Sequence, residues 1–185
     1  MTWAKVLTMT AGLGLAVAAG AALGPAAPAP AKVIRAERFE LVDEKGKVQA
    51  VLVATTEGPF LTLHDAAGKT RAGLNVAFGG PALTLADAAG KTKVFLGVAA
   101  DASALLLSDA AGKTRAVLAV DAGGPRLSLA DTAGQIRGGL GVAADTPRLV
   151  LADAAGKVRA SVGVAADGPG LALFNAAGKP IWHAP

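Results

Sequence analysis

The side chains that could do chemistry in this sequence are acidic and basic residues that recur at a fixed spacing. An Asp-x-x-Gly element places its glycine at positions 46, 68, 90, 112, 134 and 156, and Asn175-Ala-Ala-Gly178 is a variant seventh copy. A basic residue usually follows that glycine directly, and a second one usually comes two residues later. These two columns contain Lys69, Arg71, Lys91, Lys93, Lys113, Arg115, Arg137, Lys157 and Arg159. A regular cationic stripe of this kind could bind a polyanion, such as an acidic polysaccharide or lipid headgroups.

The same basic columns have a structural interpretation, which is the one we favour. The stripe could pair with the aspartate column and keep an exposed strand edge soluble. The formal net charge of the 185-residue chain is only +4, and no aromatic residues alternate with the basic ones. Because base stacking needs aromatic side chains, we expect no nucleic-acid partner.

Residues suited to catalysis or to metal binding are few. The chain has no cysteine, and neither of its histidines, His64 and His183, stands in a repeated context. A nucleophile needs a partnered base and an orienting group, which the scattered serines lack. A calcium ion needs several oxygen ligands, whereas each turn supplies one Asp beside a Lys. We therefore expect a protein that is not an enzyme, with no cofactor, metal or small-molecule substrate and with His64 on an exposed face.

The elements that carry these residues repeat every 22 positions, and residues 32–185 hold seven such units. Each unit contains two stretches in which apolar residues alternate with other residues, as in Ala116, Leu118, Val120 and then Leu127, Leu129. A period of two indicates β-strands. The sequence therefore predicts an all-β protein of seven β-hairpin units with a core of aliphatic columns.

Two kinds of turn connect the predicted strands. A four-residue loop at Asp-Ala-Ala-Gly would put every Leu and Val column on one face, whereas a three-residue loop would split the columns between both faces. The pattern therefore predicts the four-residue loop. The second turn is predicted as a two-residue loop centred on Gly123-Gly124 and its equivalents. Pro125 comes next, and a proline cannot donate the hydrogen bond that closes a tight hairpin.

Two architectures fit this pattern: an antiparallel meander or roll, and a parallel β-solenoid. A solenoid would stack the aspartates at the strand spacing of about 4.8 Å, and a meander would double that distance. Because like charges directly opposite each other are destabilising, charge favours the meander.

One face of such a sheet needs a cover. The Leu and Val columns must be buried against something, and the other face carries small residues such as Gly97 and Gly141 that let another surface approach closely. We therefore expect self-association, with a trimer as the first candidate, or contact with other envelope proteins.

The N-terminus has the pattern of a targeting segment. Lys5 is followed by an uncharged apolar stretch over residues 6–23 and then by an Ala/Pro-rich stretch. Residues 1–31 are predicted to be a cleaved signal peptide or a membrane anchor that contains an apolar helix and contacts the membrane through residues 1–24. Either alternative implies export to the periplasm, the cell surface or the extracellular space.

The Asp-x-x-Gly-Lys-x-Arg element is similar, over the turn only, to the Tyr-Asp repeats of large secreted bacterial shell proteins, which also join antiparallel strands through Asp/Gly turns. The sequence as a whole predicts an exported, non-catalytic structural protein: an envelope or surface scaffold, a stalk or a fibre unit. The alternatives are a binding module for an anionic envelope polymer and a membrane-anchored accessory subunit of a larger complex.

Overall fold

The computed structural model describes residues 33–77 and 79–184, and the predictions for residues 1–31 lie outside this part of the chain. Fourteen strands and no helix make up the described part. The strands are β1 (Arg38–Val42), β2 (Val48–Thr55), β3 (Gly58–His64), β4 (Thr70–Ala77), β5 (Gly80–Ala86), β6 (Thr92–Ala99), β7 (Ala102–Ser108), β8 (Thr114–Asp121), β9 (Gly124–Ala130), β10 (Ile136–Ala143), β11 (Thr146–Ala152), β12 (Val158–Ala165), β13 (Gly168–Phe174) and β14 (Pro180–Ala184).

The strands form one open sheet in which each strand pairs only with its neighbours in sequence. The spatial order is β1 to β14 without a crossover, and every pairing is antiparallel. The predicted antiparallel meander is confirmed, and the parallel β-solenoid alternative is wrong. The two end strands, β1 and β14, have five residues each, which shortens the unpaired edges.

The predicted Leu and Val columns share one face of the sheet, which we call the Leu face. In its middle row, residues directly opposite each other on successive strands are Leu52, Leu61, Leu74, Leu83, Leu96, Leu105, Leu118, Leu127, Leu140, Leu149, Val162 and Leu171. Aliphatic pairs of this kind are the unit of sheet stabilisation. The period-two pattern therefore sets the register from strand to strand.

The Asp-Gly turns reach this register by a different route from the one predicted. Asp109 N–H donates to the Lys113 carbonyl at 2.9 Å, and Gly112 N–H donates to the Asp109 carbonyl at 2.9 Å, so the loop has three residues. Ser108 then pairs with Thr114 but Leu107 pairs with Ala116, which leaves one extra residue in β8. This β-bulge restores the parity that a three-residue loop alone would break, and the columns stay on one face.

The second kind of turn has two residues, as predicted, but lies one residue earlier. Asp121 pairs with Gly124, so Ala122 and Gly123 form the loop and Pro125 lies inside β9. Shifting the loop by one residue changes the pairing register by two residues, so each side chain stays on the same face of the sheet. The column pattern therefore could not distinguish the two loop positions.

Proline ends the ladder to the following strand. The pairing of β9 with β10 reaches only Arg126 opposite Gly141, and Pro125 has no partner there. In β7 a serine replaces the proline, and Ser103 pairs with Val120 in β8. Because proline lacks an N–H donor, it occupies the strand position where the ladder stops.

The second face of the sheet is packed more densely than the Leu face. The buried residues Val51, Ala119 and Ser161, which are 4–8% exposed, all lie on it. The space at Gly97 is filled by the chain itself, since a Cβ added there would lie 2.5 Å from the Phe95 ring. The expectation that this face admits another surface closely is therefore wrong at Gly97.

Candidate functional site

The predicted site is the edge of the sheet that carries the Asp-Gly turns, and each turn is built around one carboxylate. Asp109 Oδ1 accepts hydrogen bonds from Ala111 N–H at 2.9 Å and from Lys113 N–H at 3.1 Å. Gly112 follows with φ +84°, in the left-handed region that glycine adopts without strain. The aspartate therefore satisfies two backbone donors of the loop and fixes its shape.

The second oxygen of the same carboxylate binds a cation of its own unit. Asp109 Oδ2 lies 3.3 Å from Arg115 Nη1. Four further pairs have the same spacing of six residues: Arg71–Asp65, Lys93–Asp87, Arg137–Asp131 and Arg159–Asp153. The side chains in these five pairs are only 21–37% exposed. In each of these five units, the cation three residues after the turn glycine is thus paired within the chain.

These paired cations also reach the following hairpin. Arg115 Nε donates to the Ala130 carbonyl at 2.8 Å, and Arg71 Nε donates to the Ala86 carbonyl at 2.9 Å. The equivalent donors Lys93, Arg137 and Arg159 bind the carbonyls of the next turn aspartate or asparagine. Each of these five cations therefore joins its own turn to the next one.

The column of lysines beside the turns makes a second set of links. Lys113 Nζ donates to the Thr132 carbonyl at 3.1 Å, which lies in the next turn. The same contact, 19 residues along the chain, is made by Lys47, Lys69, Lys91 and Lys157. Four of these lysines are exposed and Lys47 is half-buried, and a surface hydrogen bond of this kind contributes little individually. Together with the paired cations they form a ladder of contacts along the edge, which we call the turn ladder.

The structure thus brings all nine predicted stripe residues to one edge of the sheet. Each of them donates a hydrogen bond to the chain itself. A polyanion would have to compete with carbonyl groups and with five carboxylates for these donors. Polyanion binding by the stripe stays a prediction.

The electrostatics of the edge follow from this geometry. Hydrogen bonds from the backbone N–H groups, with that of Lys113 first and the Arg115 guanidinium also contributing, hold the pKa of Asp109 below its usual value. The same causes lower the pKa of Asp65, Asp87, Asp131 and Asp153, with the cation six residues on contributing in each case. The edge is therefore an alternating row of ionised carboxylates and cations at neutral pH.

The first and last turns depart from the common pattern, and sequence reasoning did not use this signal. In the first, Gln49 replaces the cation, and its Nε2 donates to Asp43 Oδ2 at 3.2 Å. In the last, Asn175 replaces the aspartate and Ile181 replaces the cation. Asn175 Oδ1 still accepts the two backbone hydrogen bonds of the turn, at 2.9 and 3.0 Å. The acceptor is thus kept when the charge pair is lost.

His64 is less exposed than predicted. It is half-buried on the second face and lies within hydrogen-bond distance of Thr62 Oγ1, at 3.1 Å, and of Thr70 Oγ1, at 3.3 Å. It borders an open cavity of about 450 Å³ that Arg38 and Val51 also line. The two threonine hydroxyls account for the position of the imidazole as a packed strand residue.

In residues 33–77 and 79–184 no helix is both long enough and apolar enough to cross a membrane. No protein-family model matches the chain, and no curated protein matches it significantly in sequence.

Proposed function

We propose that this protein is an exported, non-catalytic structural protein built from seven 22-residue hairpin units, serving as a scaffold, stalk or fibre unit of the cell envelope or surface. The proposal of export depends on the N-terminal sequence, with its basic start, apolar stretch and Ala/Pro-rich region. The cleaved signal peptide and the retained anchor both remain compatible with it, and the anchor would make the protein an accessory subunit of a larger complex.

The turn ladder is the observation that carries the proposal. Its lysine links recur with the same atoms and the same separation of 19 residues, and the links of its paired cations span 15 to 17 residues. The most regularly spaced charged side chains of the chain therefore form ion pairs and hydrogen bonds that join neighbouring hairpins. An array held by contacts between neighbours gains length unit by unit and offers a regular surface, which is the physical basis of repeat scaffolds.

A deletion in phase with the repeat tests the modular array. Removing residues 88–131 joins Asp87 to Thr132 and takes out β6 to β9 while leaving an intact Asp-Thr-Ala-Gly turn. We expect the shortened chain to fold with an unchanged circular dichroism signal per residue. Its longest dimension in small-angle X-ray scattering should fall by about 19 Å, four strand spacings.

A deletion out of phase is the matched control. Removing residues 88–132 takes out the same four strands but joins Asp87 to Ala133 and leaves the turn one residue short, so that the Leu columns after it would move to the opposite face. We expect this variant to lose ordered β-structure. Equal loss of structure in both deletions would contradict the modular array.

A further inference from the structure

The Leu face is an apolar surface that no other segment covers within residues 33–77 and 79–184. From β2 to β13 the middle row of this face and the two rows beside it contain only Ala, Val, Leu, Pro and Gly, together with Ser103, and no charged side chain. Its large side chains are strongly exposed, for example Leu118 at 53% and Leu74 at 48%. The charged residues lie along the turns or on the second face.

The size of this surface sets what can cover it. Twelve strands at about 4.8 Å, with about six residues each at 3.3 Å, give a face of about 1,100 Å². The largest apolar patch on a typical monomer is about 300–600 Å². A surface of this size requires a partner of comparable area.

The uncharged N-terminal stretch of the same chain is too small for this task. Residues 6–23 contain 18 residues without a charge. Even as a helix about 27 Å long and about 10 Å wide, the stretch would cover about 270 Å². A second copy of the chain supplies an apolar face equal in area and composition.

One row of the Leu face has a relief that is complementary to itself. Beside the middle row, leucine alternates with a smaller residue on successive strands: Leu63, Ala72, Leu85, Val94, Leu107, Ala116, Leu129, Gly138, Leu151, Ala160 and Leu173. The leucines form ridges about 9.6 Å apart, two strand spacings, and the small residues form grooves between them. A two-fold axis places the ridges of one copy against the grooves of the other, as an isologous interface requires.

We propose that two copies of this chain pack Leu face to Leu face as a two-layer β-sandwich. The sheets would lie about 10 Å apart and enclose an aliphatic core between them. Two faces of this size bury about 2,200 Å² in total, above the standard interface of about 1,600 Å². The proposal goes beyond the scaffold function and does not depend on the modularity of the repeat, so a failure here would leave the outcome of the deletions unaffected.

Single-cysteine variants test this interface cleanly, because the 185-residue chain has no cysteine. Leu118→Cys places a thiol near the centre of the Leu face, and Ala122→Cys places one in the exposed loop that follows the same strand. In the dimer we expect the thiol at position 118 to react with a maleimide at least tenfold more slowly than the thiol at position 122. Light scattering with size-exclusion chromatography on the full chain should give the mass of two copies. A monomer, a trimer or equal reactivity of the two thiols would overturn the proposal.

A charge on the Leu face gives a second, independent measurement. Leu118→Asp should raise the dissociation constant of the dimer at least tenfold, because the interface would bury an unpaired carboxylate. Ala122→Asp is the matched control and should remain a dimer. If Leu118→Asp stays a dimer, the Leu face is not the interface. If it fails to fold, the thiol reactivity at position 118 decides the question.

Discussion

Replacing Gly112 by alanine isolates the conformational demand of the Asp-Gly turn. Gly112 has φ +84°, and no atom lies within 4 Å of a Cβ added there. The substitution therefore adds no steric clash with neighbouring groups, and its whole cost is backbone strain. An alanine in the left-handed region costs about 1–2 kcal/mol.

Gly138→Ala is the matched control on the same sheet. Gly138 lies in β10 on the Leu face, outside the left-handed region, and an added Cβ would meet Leu129 and Leu151 at 3.7–3.8 Å, ordinary van der Waals distances. Because glycine weakens a strand interior, alanine should here be neutral or stabilising by up to about 1 kcal/mol. Both variants replace glycine by alanine, but the backbone has a positive φ at position 112 and an extended strand conformation at position 138.

Thermal unfolding followed by far-ultraviolet circular dichroism measures the difference. A cost of about 1–2 kcal/mol lowers the Tm of a chain of this length by about 2–8 °C. Gly112→Asn provides a third point, since asparagine tolerates the left-handed region better than alanine and should recover part of the loss. Equal Tm values for Gly112→Ala and Gly138→Ala would refute the argument that the turn requires its positive φ.

Two further predictions concern the charged edge. Because the pKa values of the turn aspartates are lowered, their stabilising contribution is complete above about pH 4 and is lost as the pH falls through their folded-state pKa values. Asp109→Asn keeps a side-chain oxygen that can accept the two backbone hydrogen bonds of the turn, as Asn175 Oδ1 does. This variant should lose less stability than the unaltered chain when the pH is lowered in a circular dichroism titration. An acid response identical to that of the unaltered chain would argue against the turn ladder. Since the stripe is bonded to the chain, we expect at most weak binding of dextran sulfate at about 0.15 M salt, by isothermal calorimetry. Tight, salt-sensitive binding that Lys113→Gln weakens would instead support the polyanion alternative.

The sequence was sufficient to predict the strands and the shared face of the Leu columns, whereas it only favoured the antiparallel order over a parallel solenoid, through the spacing of like charges. The strands and the shared face depend on period-two patterning, and Leu118 or Leu129 would change faces if the register moved by one residue. The loop positions were harder to predict, because compensating shifts leave the pattern unchanged. The bulge before Ala116 and the early loop at Ala122 and Gly123 both preserve the faces.

The contacts of the stripe could be predicted only in part. Pairing of Arg115 with Asp109 follows from their spacing around a turn. The reach of Arg115 to the Ala130 carbonyl depends on the lateral distance between successive turns and on side-chain direction, which the linear pattern does not contain. The role of Pro125 could not be predicted for a similar reason. Pro125 lies where the pairing of β9 with β10 ends, and β10 begins eleven residues later in the sequence.

The last unit bears on whether the cations serve the fold or a ligand. Asn175 and Ile181 replace the aspartate and the cation together in the last unit. A stripe that binds a ligand through its cations has no need of the carboxylate, so the loss of one would not require the loss of the other. A cation that pairs with the carboxylate of its own turn loses its partner where asparagine replaces aspartate, and an unpaired guanidinium would add nothing to the fold. The lysine column continues to Lys179 and does not distinguish the two roles. The paired loss at positions 175 and 181 is thus what we expect of a column whose cations serve the carboxylates of their own turns.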